Sequence, residues 1–386
     1  MKIKSFLLIS ISALLLTSCA SDKDGKSGGT ADDLTISMDF TSSSSYSDKG
    51  IVYTNEDNIL YFYDVSSGYE TALCSKPNCK HEGASVSNPD PTCDGYVEGQ
   101  CFSPAIINDK LYFLYTPEIM DESYSGFGTK VFCQADTDGT GRKEIARLND
   151  AQTIAASAYS DKYYACAYYK DFDEHGNDLE KRVCAVSVIN IKTGDVYTTP
   201  YYEEYQGIIR NLSFDDSGLV FALSYTTENI DFSKQNDDGF QSYIDSISKC
   251  DIIRFNFSDK KSETIYSDNG ACADIGFGYA LLDKETPVLF DLTSCEETPL
   301  DYKYSSYVMT EKGAVLLDNQ DMTYAFYDIA SGEISVLSKA EMSIDAITDS
   351  YIFVIYNQDN DTFLGIMDKG DFLSGNNSEI KKLKAL

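Results

Sequence analysis

Cys74, Cys79, His81, Cys93 and Cys101 crowd thiol and imidazole donors into one segment. Deprotonated thiolates and a neutral imidazole are the ligands zinc prefers, and four of them close a tetrahedral structural site. Cys74, Cys79, His81 and Cys93 are the expected set for a structural zinc. Their pattern, C-x4-C-x-H-x11-C, departs from the usual paired C-x2-C knuckles, and a bend around Pro77-Asn78 would be needed to turn Cys79 and His81 toward one ion. Two other readings stay open. Setting Cys19 apart, the cysteine count of 11 leaves an even number, so bonds Cys74–Cys79 and Cys93–Cys101 could staple a long irregular loop in an oxidising compartment. The thiols could equally be free and buried. All three are mainly structural outcomes, although a labile metal or an easily reduced disulfide would make the segment a sensor.

Other chemistry is sparsely supported. The chain holds 2 histidines, His81 and His175, and a Ser-His-Asp mechanism must use one of them. His175 lies in the polar run Asp171 to Asp178 and reads as a loop residue. Gly25-Lys26-Ser27-Gly28-Gly29 matches G-x-S-x-G literally, but that motif carries a nucleophile only on a strand-to-helix turn, and here it falls in a Gly/Ser-rich stretch. Asp136-x-Asp138-Gly139-Thr140-Gly141 and Asn357 to Asp361 are oxygen-rich, yet lack the helical flanks of an EF-hand and read as hairpin turns. The other cysteines, Cys133, Cys166, Cys184, Cys250, Cys272 and Cys295, sit mostly in strand-like runs and read as core packing. Asp and Glu total 62, so paired carboxylates for glycoside hydrolysis remain open, since sequence does not show through-space separation.

Position in the cell follows from the N-terminus. Lys2 and Lys4 precede an apolar run from Phe6 to Leu16, too short to span a bilayer, and Leu16-Thr17-Ser18-Cys19 ends it in the pattern of a lipoprotein signal peptide. Residues 1–18 are read as the signal peptide and Cys19 as the lipidated first residue of the mature chain. Residues 19–35 are read as its polar, Gly/Ser-rich tether, and 36–386 as the folded domain. The expected address is extracytoplasmic, with acyl chains on Cys19 holding the protein to the membrane. Lys and Arg total 31 against the 62 acids, a net charge of −31. With no basic stripe to displace counterions from phosphate, nucleic acid is excluded as a partner.

The elements that must position these residues are strands. Tyr (29) and Phe (20) are abundant and Trp is absent, a usage suited to half-buried pleated surfaces. A weak repeat opens with Ser47-Asp48-Lys49-Gly50, Asn108-Asp109-Lys110, Ser160-Asp161-Lys162, Asp215-Asp216-Ser217-Gly218, Gly276-Phe277-Gly278, Glu311-Lys312-Gly313 and Thr348-Asp349-Ser350, each followed by an aromatic or branched strand. Asp64 to Gly68, Asn190 to Gly194 and Asp328 to Gly332 close units with turns that tolerate positive φ. Such spacing predicts an all-β chain, a β-propeller of seven blades of four-stranded antiparallel sheet. The short fifth unit, about Cys272 to Leu300, leaves six or eight open. The acidic insert Thr226 to Ser246 reads as a loop between blade strands.

The turn Asp136-Thr137-Asp138-Gly139 with Lys143-Glu144-Ile145-Ala146-Arg147-Leu148 resembles the hairpin of TolB-type propeller repeats. Leu73-Cys74-Ser75-Lys76-Pro77-Asn78-Cys79-Lys80-His81 resembles the same segment of lipid-anchored propeller lipoproteins of gut Clostridia and their relatives. The resemblance implies a secreted, lipid-anchored propeller and says little about chemistry. The expectation for function is a non-enzymatic binding or assembly platform with a protein or glycan ligand. The alternatives are a surface carbohydrate-active enzyme using paired carboxylates, or a metal- or redox-responsive sensor acting through Cys74 to Cys101.

Overall fold

The computed structural model describes residues 19–20, 35–39, 44–117, 128–235, 239–269, 271–284, 286–302, 304, 306–318, 321–339, 342–358, 361–375 and 379–385. The signal-peptide reading of 1–18, most of the tether and the Gly25 to Gly29 motif lie outside them.

The first blade shows how the sequence makes its sheet. Strands Ser44–Ser47, Gly50–Thr54, Leu60–Asp64 and Glu70–Ala72 pair antiparallel, each with the next in sequence. Five such four-stranded sheets are separate, and a larger ten-stranded sheet contains two more runs of four, Thr153 to Thr198 and Tyr202 to Asn269. These two join where Arg182, Val183 and Cys184 pair with Glu204, Glu203 and Tyr202. The expected propeller of four-stranded antiparallel sheets is the observed fold. Each set packs its faces on its neighbours, so strands such as Lys130–Asp136 and Gly218–Thr226 are buried along most of their length rather than alternating.

Each repeat opening proves to be the hairpin between the first and second strands of a set. In several of them a short side chain caps the turn: the Ser47 hydroxyl bonds the Gly50 backbone, Thr310 does the same at Gly313, Thr348 at Tyr351, and Asp215 accepts from Ser217 and Gly218. Close approach fixes the glycines that follow. A Cβ on Gly218 or Gly313 would lie 2.0 Å from Phe255 O or 1.8 Å from Tyr327 O, the carbonyl of the third strand. The turns between third and fourth strands form a second series. Asp64, Asn190, Asn256, Asp291 and Asp328 each accept from backbone N–H groups two or three residues on. In each, the residue four further on donates its N–H back to the acidic or amide residue's carbonyl. That residue has positive φ: Gly68, Gly194 and Gly332, but also Lys260 and Cys295. Cys295 is therefore an exposed turn residue and departs from the expectation of core packing, whereas Cys133, Cys166, Cys184, Cys250 and Cys272 are buried.

The insert Thr226 to Ser246 is also more ordered than a loop. It holds a 3-10 turn, Phe232–Lys234, and a helix, Phe240–Ile247, whose Phe240, Tyr243, Ile244 and Ile247 follow the i, i+3, i+4, i+7 spacing of one helical face.

Among the described residues, side chains rather than a shared strand carry the contacts between the last and first sets. Asp48 accepts from the Ser350 N–H at 3.0 Å and its hydroxyl at 2.7 Å, and the Tyr46 hydroxyl donates to Asp345. Burial of Asp345 raises its carboxyl above the ordinary value, and the Tyr46 bond offsets this only in part. A carboxyl whose pKa is raised on folding contributes stability that is fully present below its unfolded value, about 3.9, and is lost as pH climbs through the folded one. Asp345→Asn, which keeps shape and stays neutral, should therefore hold its thermal midpoint better than the parent from about pH 4 upward. Parallel pH profiles for the two proteins would refute this.

Candidate metal centre

The segment 73–100 joins the first set to the second, running from Glu70–Ala72 to Cys101–Ile107. Connections of this length inside a compact domain need something to hold them. Part of the hold is backbone: Leu60 N–H donates to Gly95 O, Leu73 N–H to Leu60 O, Val97 N–H to Asn58 O, and Ile59 bridges Tyr96. The rest comes from the hairpin of the second set. Arg142 reaches back to Tyr96 O and Asp94 O, both at 2.8 Å, with its guanidinium over the Phe113 ring. Gly139, at φ +80°, lies so close that a Cβ there would sit 2.2 Å from Leu73 O. The oxygen-rich turn at Asp136 to Gly141 thus serves as a clasp: Asp138 accepts from Thr140 and Asp136 from Lys110.

Inside this clasp the donor atoms of Cys74, Cys79, His81 and Cys93 all lie within 4.8 Å of one another. Asn78 and His81 adopt positive φ, 60° and 55°, and these two bends turn Cys79 and His81 toward the same point, as the Pro77-Asn78 spacing required. Zn–S bonds of ~2.3 Å in a tetrahedron place sulfurs ~3.8 Å apart, so the set needs only a small contraction to hold an ion. The four residues could hold a metal, and three thiols with one imidazole favour zinc over harder cations. Cys101 is placed elsewhere. It begins the first strand of the second set, in a core cluster with Leu111, Phe113 and Cys133. All ten described cysteines beyond Cys19 are free thiols.

The surroundings suit a thiolate centre. Burial opposes ionisation of Cys74, but N–H groups of Lys76 and Asp94 and the neighbouring Cys93 and Cys79 thiols outweigh it, so this thiol lies below its ordinary value. The Asp94 N–H stands 3.4 Å from Cys74 Sγ, and His81 Nδ1 3.5 Å from Cys93 Sγ. Cys93, packed on Ile59 and Ala72, is pushed by burial to about 12. Lys76 pairs with Asp94 at 2.7 Å and bonds Thr92 O, which sets a positive charge beside the sulfurs. Lys76, Asp94, Gly139 and Arg142 had no sequence signal beyond their nearness to the cysteines or, for Gly139 and Arg142, a turn motif. A groove of about 630 Å³ opens on one side, lined by Pro89, Pro91, Cys93, Asp94 and Arg142 among others.

The remaining candidates do not converge. His175 is an exposed residue in the turn held by Asp173, so with His81 in the thiol cluster neither histidine stands ready for a serine nucleophile. Asn357 and Gln358 close one strand and Asp361 starts the next; Asp359 and Asn360 lie outside the described residues. No helix among the described residues is long and apolar enough to cross a membrane.

No protein-family model matches the chain, and no curated protein matches it. Solved structures do. The β-propeller domain of the Trilobed protease from Pyrococcus furiosus, described as having an open velcro topology, is 12% identical over 96% of this chain and 96% of that one, with TM-score 0.52. Pyrococcus horikoshii acylaminoacyl peptidase is 12% identical over 96% of this chain, with TM-score 0.50. The chain spans about half the length of that peptidase, 52%. These likenesses establish the β-propeller fold. They also overturn the expectation of a non-enzymatic platform, and with it the assignment as no enzyme: the propellers this chain matches from end to end belong to peptidases.

Proposed function

We propose that the protein is a zinc-binding propeller that works as part of a cell-surface enzyme, tethered through a lipidated Cys19. The observation that carries the metal part is the convergence of Cys74, Cys79, His81 and Cys93 within 4.8 Å on a clasped loop. Three thiols and an imidazole leave no open coordination position, so the zinc is structural and keeps the segment 73–100 folded against the first two sets. The enzyme part is supported by the match over 96% of the chain to a protease's propeller domain; peptide substrates are the corresponding proposal. The membrane address is supported by the Lys2 to Cys19 pattern and by its likeness to lipid-anchored propeller proteins.

Native mass spectrometry of the chain from Ala20, purified without chelator, tests the metal. One zinc per folded chain, released on denaturation with Cys74, Cys79 and Cys93 then open to alkylation, is the expected result. A metal-free chain of full thiol content would remove the centre. Peptide cleavage by membranes bearing the protein, lost when the gene product is absent, is the matching test of the enzyme part.

A further inference from the structure

The first strands of successive sets lie against one another, as Thr153–Tyr159 does against Tyr202–Phe214 and that strand against Ala271–Gly276. They form the inner ring, which faces the central channel of the propeller, whereas fourth strands such as Lys261–Asn269 and Glu297–Pro299 are largely exposed. Ser44–Ser47, Cys101–Ile107, Ala271–Gly276, Ser306–Thr310 and Met342–Ile347 each end their sheet at that inner edge. Thr153–Tyr159 does not. On its channel side it carries a further antiparallel strand, Thr35–Asp39, with Asp39, Met38, Ser37 and Ile36 opposite Ala156, Ser157, Ala158 and Tyr159. Thr35–Asp39 also lies against Tyr202–Phe214, and its other partner, Cys19–Ala20, lies beside Met342–Ile347 of the last set. Only the middle of the ring touches the third, fourth and last sets at once. The chain from Asp39 to Ser44, where the first set begins, spans at most ~18 Å, which also keeps the strand inside the ring.

Backbone groups make this pairing. A strand edge bonds an extended segment through N–H and C=O groups, and side chains add selectivity, so the bonds made to Thr35–Asp39 are ones that another peptide can make. The register fits such a site: Thr153–Tyr159 is bulged against Tyr163–Phe172 between Ile154 and Ala156, and Thr35–Asp39 pairs only with the regular stretch that follows. We propose that the channel-facing edge of Thr153–Tyr159 is a docking site for an extended peptide, and that Thr35–Asp39 fills it as a built-in plug which an incoming peptide displaces. The peptide as ligand rests on the reading of the protein as part of a peptidase; the plug itself does not. A bilayer holding a lipidated Cys19 pulls against the Cys19–Ala20 pairing, so the site is the edge of Thr153–Tyr159 alone. Because the plug belongs to the same chain, it competes at an effective concentration of about a millimolar, and this sets the threshold that an entering peptide must exceed.

The test compares the full chain in mild detergent with its Ser37→Pro/Met38→Pro variant. Successive N–H groups of a strand point to opposite sides, so one of the two prolines removes a donor that faces Thr153–Tyr159, and neither lies in a four-stranded set. Amides of Thr153–Tyr159 should exchange roughly tenfold faster in the variant, with those of Lys261–Asn269 unchanged. A fluorescein-labelled Thr-Ile-Ser-Met-Asp peptide should half-saturate the variant at a concentration roughly tenfold below that needed for the parent, and at saturation should restore slow exchange over Thr153–Tyr159. In the parent itself, amides of Thr35–Asp39 should exchange roughly tenfold more slowly than the free peptide, a reading that does not depend on the variant folding. Exchange of Thr35–Asp39 at the free-peptide rate, or equal exchange of Thr153–Tyr159 in parent and variant, would overturn the plug. A peptide that binds both proteins alike, binds neither, or leaves Thr153–Tyr159 exchanging fast would overturn the docking site. Absence of peptide cleavage by membranes bearing the protein, with these results as expected, would remove the enzyme reading and leave the site standing.

Discussion

Cys93→Ser is expected to take zinc content from one ion per chain to none and to release the segment 73–100 from its clasp. Ligands bound only by the folded state add stability by mass action, about 4 kcal/mol at a thousandfold excess over the dissociation constant. Loss of the ion removes that contribution. Because Cys93 also packs on Ile59 and Ala72, part of the effect of the serine is lost packing. His81→Ala separates the two: His81 is only partly buried, so it should lose the metal with little change in the core. Hydrogen exchange gives the readout. Amides of Leu73 and Val97, bonded to the Leu60 and Asn58 carbonyls, and of Cys79 and Tyr96, bonded within local turns to Lys76 O and Cys93 O, should exchange faster in both variants and in chelator-treated parent, while strands of the third and fourth sets stay unchanged. Cys101→Ser is the control. Sequence alone grouped Cys101 with the other four, but it lies in a different core cluster, so metal content should stay at one ion. A Cys93→Ser protein that retains stoichiometric zinc would show that the four donors do not form the centre.

The second large effect is expected at Phe132. Its ring is fully buried, with the Tyr164 ring at 4.6 Å and the Tyr112 ring at 5.8 Å. Tyr112 and Phe132 come from adjacent strands of the second set and Tyr164 from the third, so this stack is the seam between two sheets. Phe132→Ala removes the ring from a place that cannot collapse, because the neighbours are held by strand ladders on both sides. The cost is about 3–5 kcal/mol, near the high end because aromatic pairing is lost with the area. Urea unfolding followed by far-ultraviolet dichroism should show the midpoint falling with the slope unchanged. A loss under ~1 kcal/mol, no more than a volume-conserving swap costs, would mean that the seam repacks around the missing ring.

Comparison of particular residues shows what was legible in advance. Most of the seven repeat openings were visible because the first hairpin carries a short capping side chain, as at Ser47, Ser160, Asp215, Thr310 and Thr348, and, at Gly50, Gly218 and Gly313, needs room for a neighbouring carbonyl. Such demands are local and leave a mark at fixed spacing. Three of the outer turns were visible through Gly68, Gly194 and Gly332. Two others, at Asn256 to Lys260 and Asp291 to Cys295, make the same bonds with Lys260 and Cys295 at positive φ. They were missed because the strained position was filled without the residue that signals it. The helix Phe240–Ile247 went unread since two turns of periodicity are too few to stand out in an acidic stretch.

By itself, then, the sequence determined the all-β class, the repeat and the identity of the four candidate ligands, all of which depend on residue types over short spans. Tertiary structure alone decided that Cys101 leaves the group and that Arg142 and Gly139 of the next sheet clasp the loop. It also decided that Asp48 and Asp345 of opposite ends of the chain join the last set to the first. These contacts link residues from 46 to 302 apart. The physical reason is that packing of one sheet on the next sets them, and a repeat fixes the shape of each sheet without stating which side chains meet between two.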